Sequence, residues 1–250
     1  MPPRDWNAAS YERMSAPLEA MGRDVLDRLE LRGDERVLDA GCGTGRVTAA
    51  LAARLPRGEV VAVDGSPAMV EEARRRLGAG ADVRVADLLE LELEPPVDAI
   101  LSTATFHWIA DHERLFERLL SVLRPGGRLA AQCGGEGNVA ELDRAARLVG
   151  AREPYAAALA GWEGPWNFAS PAATAERLHR LGWVDVWTWS QHVRVEPDDP
   201  REYLGTVALG SHLERLEPGL RDPFVDAVIA ELAEPVVDYV RLNILARRRS

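Results

Sequence analysis

Two carboxylates and three alternating glycines could hold a cofactor. In Val37-Leu38-Asp39-Ala40-Gly41-Cys42-Gly43-Thr44-Gly45 a short apolar run ends in an acid and then the glycines. After Thr44 the pattern turns helical, with Val47, Leu51 and Leu55 spaced i, i+4, i+8. The glycines therefore fall on a strand-to-helix turn. Missing Cβ atoms permit a tight bend and let a ligand approach the backbone, and open α/β sheets bind ligands at such strand ends. A second apolar run, Glu59-Val60-Val61-Ala62-Val63, ends in Asp64. A carboxylate at that strand end, roughly 20 residues after the first glycine, suits both ribose hydroxyls of an adenosine. The bland alternative is two ordinary βα turns whose Asp64 only starts a helix. Arg46 stands where the dinucleotide fingerprint needs its third glycine, which argues against a nicotinamide dehydrogenase.

Other side chains of chemical interest lie further on. His107 has three readings: a base for a hydroxyl or amine, a group that orients a carboxylate, or a histidine packed beside Trp108. His112 sits just inside a helix start, where a structural role is the simpler reading. Trp162, Trp166 and Phe168 either wall an apolar pocket or belong to a core. There is no serine-nucleophile elbow and no His-Glu-x-x-His pair. The two cysteines, Cys42 and Cys133, have no metal-type spacing; they read as free thiols in a reducing compartment, with no metal expected. Gly134-Gly135-Glu136-Gly137-Asn138 lacks the Lys and Ser or Thr of a phosphate loop and reads as a plain connection.

Helices and strands must position these groups. Strands are expected at 35–40, 59–63, 82–86, 97–102 and 128–133, separated by helical patterns, which implies a parallel sheet with helices on both faces. Ser66 and Asp111 are expected as helix caps, with Pro67 at a first helical position. Pro125-Gly126-Gly127 reads as a turn into the fifth strand. Ahead of the sheet, Met21, Val25 and Leu29 mark one face of a lead-in helix. Behind it, 139–170 reads as helix and aromatic-rich loop, 198–235 as helical, and 183–195 and 239–247 as strands.

The chain has 250 residues, 46% of them hydrophobic and 28% charged, which suits one α/β domain with a sizeable core. Its basic residues are all arginine. A formal net charge of −10 argues against a nucleic-acid partner. The start lacks the apolar core of a signal peptide, and no run approaches the ~18 apolar residues of a membrane span, so a cytoplasmic protein is expected.

Asp39-Ala40-Gly41-Cys42-Gly43-Thr44-Gly45, then Asp64-Gly65-Ser66-Pro67-Ala68-Met69, then Ala86-Asp87-Leu88 resemble the first three motifs of class I S-adenosylmethionine-dependent methyltransferases, in order and spacing, over most of the chain. The resemblance implies one Rossmann-like α/β domain over 1–250: a seven-stranded, mostly parallel sheet with helices on both faces, its last two strands a hairpin, and 139–170 and 198–235 a helical cap. It implies S-adenosyl-L-methionine as cofactor. The binding residues carried over are Asp39 at the ammonium, Gly41, Cys42, Gly43 and Gly45 at the methionine, Asp64 with Gly65 at the ribose, and Met69. Asp87 and Leu88 follow at the adenine, and Thr103 beside the reacting centre.

Thr103-Ala104-Thr105-Phe106-His107-Trp108-Ile109-Ala110-Asp111-His112 is similar to trans-aconitate and malonyl-thioester methyltransferases at the place where acceptor meets methyl group. Tyr203-Leu204-Gly205-Thr206 and Val240-Arg241-Leu242 resemble the trans-aconitate type. His107 stands where those families usually have Gln, and Leu209-Gly210-Ser211 where the trans-aconitate type tends to have Leu-Arg-Pro. Losing that arginine removes a carboxylate partner and puts a tricarboxylate acceptor in doubt. The expected acceptor is a small molecule methylated on a carboxylate or hydroxyl oxygen, with Tyr11, His107, Trp108, Trp162 and Trp166 at its pocket. The alternatives are a C- or N-methyltransferase of secondary metabolism and a non-catalytic cofactor-binding regulator.

Overall fold

The runs that end in Asp39-Ala40 and in Asp64 form strands β1 (Arg36–Ala40) and β2 (Glu59–Asp64). Both are buried along most of their length, as strands covered on both faces must be. The computed structural model describes residues 16–250; Trp6 and Tyr11 lie outside them. The other strands are β3 (Asp82–Val85), β4 (Val97–Thr103), β5 (Leu123–Gly134), β6 (Trp183–Val195) and β7 (Val237–Arg248). They make one seven-stranded sheet in the order β3-β2-β1-β4-β5-β7-β6. Pairing is parallel from β3 to β5, and β7 runs antiparallel to both β5 and β6.

Helices cover both faces. α1 (Ala16–Asp27) and α2 (Arg46–Ala53) bury Val25, Leu26 and Leu51 against Val37, Val60 and Leu101. α3 (Pro67–Leu77) buries Val70 and Ala73 against Ala62 and Val83. On the opposite face α4 (His112–Val122) packs Leu115, Phe116 and Leu119 under Leu38, Ile100 and Leu129. The caps fall where the sequence puts them: Ser66 Oγ accepts from the Met69 amide, and Asp111 Oδ1 from the Arg114 amide.

Two expectations need correction. The fifth strand starts at Leu123, ahead of Pro125-Gly126-Gly127, because the ladder absorbs that segment as a bulge. Val97 pairs with Leu123 and Ala99 with Arg128, with the register shift between them. Gly126 takes φ 75°, and a Cβ on Gly127 would lie 2.8 Å from the Arg124 carbonyl. The segment 198–235 is not one helical run. It breaks into α8 (Pro200–Tyr203), a π-turn at Leu204–Ala208, α9 (Gly210–Glu214) and α10 (Pro218–Ala230). Before them, 139–170 holds α5 (Ala140–Gly150), the short α6 (Ala156–Leu159) and an irregular aromatic stretch, and α7 (Pro171–Arg180) leads into β6. The helices of 139–170 and 198–235 share one buried cluster, including Leu142, Val149, Tyr203, Leu204 and Phe224. Among the described residues no helix is long and apolar enough to cross a membrane.

Candidate active site

The glycine loop leaves β1 in a conformation that L side chains rarely adopt. Gly41, Gly43 and Gly45 have φ of 87°, 53° and 81°. The amides of Gly41 and Cys42 both donate to the Val63 carbonyl, at 2.8 and 2.9 Å, which fastens the loop to the end of β2. A Cβ on Gly41 would come within 2.0 Å of Thr105 Oγ1, and one on Gly45 within 3.2 Å of Ala73. Among the described residues no atom lies within 4 Å of the Cβ position on Gly43. So Gly41 and Gly45 serve close packing, while no described residue crowds Gly43.

Asp64 completes this cradle. Its Oδ2 accepts from the Gly43 amide and its Oδ1 from the Ser66 amide, each at 2.9 Å. A carboxylate oxygen can accept more than one hydrogen bond, so each retains acceptor capacity. Burial raises the carboxyl pKa, against the amides of Ser66, Gly43 and Gly65. Asp39 is more deeply set: 1% exposed, with Oδ2 accepting from the Thr48 hydroxyl at 2.7 Å. Burial pushes its carboxyl up to about 7 against the Thr48 bond, and the charge of Asp64 adds to the rise.

The remaining expected cofactor residues are placed as follows. Cys42 is buried, and burial raises its thiol well above the ordinary range. Gly65 is half-buried at the turn after β2, and Met69 is buried in the first turn of α3. Asp87 is exposed, with Oδ1 accepting from the Leu89 amide. Leu88 is different: its side chain lies in the sheet core at 6% exposure, so what it offers a ligand is main chain. Thr103 is half-buried at the end of β4, and a Cβ added to Gly22 of α1 would stand 3.5 Å from its Cγ2.

Beyond Thr103, Ala104 takes φ 56° and Thr105 Oγ1 donates to the Thr103 carbonyl at 3.0 Å. A 3₁₀ turn, Phe106–Trp108, then turns His107 inward. His107 is buried, and the Gly134 amide donates to its Nδ1 at 3.2 Å. Burial carries its pKa well below the ordinary histidine range, and the charges of Arg241 and His112 act in the same sense. The ring is therefore neutral, and with Nδ1 accepting, its proton sits on Nε2. His112 is buried as well, with Nε2 on the Phe106 carbonyl at 2.9 Å, which fits a structural role.

His107, Trp108, Trp166 and Phe168 form a closed ring of aromatic contacts. The centroid distances are 5.1 Å (107–108), 6.1 Å (108–166), 5.4 Å (166–168) and 5.9 Å (107–168). Trp162 does not join this ring. It packs edge-on against His212 at 4.7 Å, beneath the Arg215 guanidinium. Sequence reasoning overlooked Gln132 and Arg241 as site residues. Both are 3% exposed, and Arg241 Nε donates to Gln132 Oε1 at 3.5 Å. The available signal was an arginine between apolar neighbours, Val240-Arg241-Leu242.

Residues 37–127 match the family described as methyltransferase domain. The chain is 36% identical to the trans-aconitate 2-methyltransferase of Methylobacterium radiotolerans over 231 residues, covering 89% of this chain and 87% of that protein. It is 31% identical to the Variovorax paradoxus enzyme of the same name, covering 88% and 86%. The chain belongs to the class I S-adenosylmethionine-dependent methyltransferases of the trans-aconitate methyltransferase family. A similar solved structure is Haemonchus contortus phosphoethanolamine N-methyltransferase 2 in complex with S-adenosyl-L-methionine, with TM-score 0.64 and 20% identity. It covers 97% of this chain, which spans 57% of that longer one. As a class I methyltransferase, the protein takes S-adenosyl-L-methionine as cofactor. The cradle fits such a cofactor in its chemistry: no described residue crowds Gly43, and the Asp64 carboxylate retains acceptor capacity.

Proposed function

We propose that this methyltransferase methylates a carboxylate oxygen of a small organic acid. The observation that carries the reading is the state of His107. A neutral imidazole whose Nδ1 already accepts the Gly134 amide has no open lone pair with which to take a proton. A hydroxyl or amine acceptor would need that proton taken; a carboxylate is ionised at neutral pH and does not. His107 instead offers Nε2–H, a donor suited to orienting an acceptor oxygen. The names of the relatives favour the same chemistry, since trans-aconitate is an acid.

In this reading Asp64 with Gly65 holds the ribose, and Asp39 the ammonium. Main chain at Gly41, Cys42, Gly43 and Gly45, with Thr103, lines the methionine, and Asp87, Leu88 and Met69 border the adenine. When bound, the cofactor supplies a methyl group on a sulfonium, and its transfer to a carboxylate yields a methyl ester with no proton to move. The chain's part is to align the acceptor and keep water out. The shared core of 139–170 and 198–235 supports a helical cap on a single domain, with Trp108 and Trp166 at the pocket wall; Tyr11 remains a proposed pocket residue. A net charge of −10 argues against a nucleic-acid partner.

The test is product analysis. The protein is incubated with S-adenosyl-L-methionine and trans-aconitate, trans-cinnamate or sorbate, and with matched alcohols and amines. Alkali-labile methyl esters from the acids alone are expected. Methyl ethers or methylamines as the main products would replace this reading with one of its alternatives.

A further inference from the structure

The face of the sheet under α1 is interrupted by a row of buried polar side chains. Thr103 on β4 pairs with Gln132 on β5, and Gln132 with Asn243 on β7. Strand alternation puts Asn243, Arg241 and Tyr239 on that same face. The row is internally bonded: Gln132 Nε2 donates to Asn243 Oδ1 at 2.9 Å, Arg28 at the end of α1 donates to the same oxygen, and Arg241 Nε donates to Gln132 Oε1. At its far end the Arg241 guanidinium lies 5.6 Å from the Tyr239 ring centroid, and the Tyr239 and Tyr203 hydroxyls are 2.8 Å apart.

Such a row costs stability wherever apolar packing would serve, so its composition is informative. Among the described residues it is built from amides, hydroxyls and two guanidiniums, and it starts at Thr103, where the reacting centre is expected. The field of Arg241 reaches the groups around that spot: it helps hold His107 neutral, and it acts to lower the pKa of Cys133 and of Tyr203 against the effect of burial. Arg241 also stands directly opposite Gly134, whose amide holds His107. A positive centre beside His107 and the end of β4, next to a cluster of planar rings, matches one class of acceptor.

Building on carboxylate methylation, we propose that Arg241 is the anchor for the acceptor's carboxylate, with His107 Nε2–H beside it, and that Trp108, Trp166 and Phe168 select an acid whose carboxylate is attached to a planar, unsaturated body. Arg241 then sets acceptor specificity, and the cofactor cradle at Gly43 and Asp64 is independent of it.

Arg241→Gln and Gln132→Glu test this. The second variant is nearly isosteric and places a carboxylate beside Arg241, where it competes with the acceptor without removing a buried charge. Calorimetry with S-adenosylhomocysteine confirms that each variant keeps its cofactor site. Binding of trans-cinnamate to the S-adenosylhomocysteine complex is then measured against trans-cinnamamide, its neutral counterpart. Wild type should bind the acid at least ~10-fold better than the amide, and both variants should lose that preference, as expected for hydrogen bonds to a charged group. In turnover KM for the acid should rise at least ~10-fold, with Arg241→Lys recovering part of the loss. An acid preference retained in folded Gln132→Glu overturns the anchor, and this holds even if Arg241→Gln fails to fold. A wild type that methylates no acid overturns carboxylate methylation itself, whereas a wild type that methylates acids with KM unmoved in both variants overturns only the role of Arg241.

Discussion

The Gly134 amide donates to Nδ1 of His107 at 3.2 Å. This main-chain bond joins the end of β5 to the turn after β4 and selects the Nε2–H tautomer of a ring that burial already keeps neutral. Because the pKa lies well below the ordinary range, the imidazole does not titrate near neutrality. With cofactor saturating, the rate on a carboxylate acceptor should therefore stay flat from about pH 6 to 8. His107→Gln keeps a donor and should retain most activity, and His107→Phe, which removes it, should lose ~10-fold or more. The pH–rate profiles of the three proteins check this, and a wild-type rate climbing tenfold per pH unit across neutrality would restore the base.

Asp64, the proposed ribose partner, also serves the glycine loop. Asp64→Ala should weaken cofactor binding by about 1.5–3 kcal/mol for each charged hydrogen bond lost. Its carboxylate also accepts the Gly43 and Ser66 amides, so the same variant should lower the melting temperature of the cofactor-free protein. Calorimetry and thermal unfolding measure the two effects separately. Unchanged affinity removes Asp64 from the site.

With Asp39 at the ammonium as proposed, cofactor binding should depend on pH. Its carboxyl is raised from 3.8 to about 7, so the folded protein holds a proton there that the unfolded chain releases. Between those values folding binds the proton, and this group's contribution to stability falls as pH rises toward 7. An ammonium favours the carboxylate, so cofactor affinity should strengthen as pH rises to 7 and level off above it. Binding at pH 6 should release a proton, seen as a dependence of calorimetric heat on the buffer's ionisation enthalpy. Asp39→Asn should bind more weakly, without that proton release, and its cofactor-free form should be the more stable one above pH 7.

Glu35 gives the opposite slope. It is 6% exposed, accepts the Arg32 and Gly33 amides and pairs with Arg128 at 2.9 Å. Burial alone would raise its pKa, but these partners prevail and bring it from 4.5 to about 2. Its contribution is complete above 4.5 and lost as pH falls through 2. Glu35→Gln should lower stability at pH 7 by about 1–3 kcal/mol, with the difference from wild type shrinking in acid. Denaturant unfolding at pH 7 and pH 3 measures both.

The sequence by itself determined what local chemistry controls. Apolar runs ending in Asp39 and Asp64, glycines at the first turn, and Ser66 and Asp111 as caps each depend on neighbours a few residues away, so the order of elements could be read directly. Length and periodicity could not show that Pro125-Gly126-Gly127 lies inside a strand, because a bulge is defined by its partner, here Val97 to Ala99. Only the tertiary structure decided the company of His107. The Gly134 amide reaches its ring because β4 and β5 pair. Arg241 stands opposite Gly134 because β7 inserts antiparallel between β5 and β6. Such contacts depend on sheet order and register, in which each residue's neighbours come from distant strands, and no spacing within the chain records them.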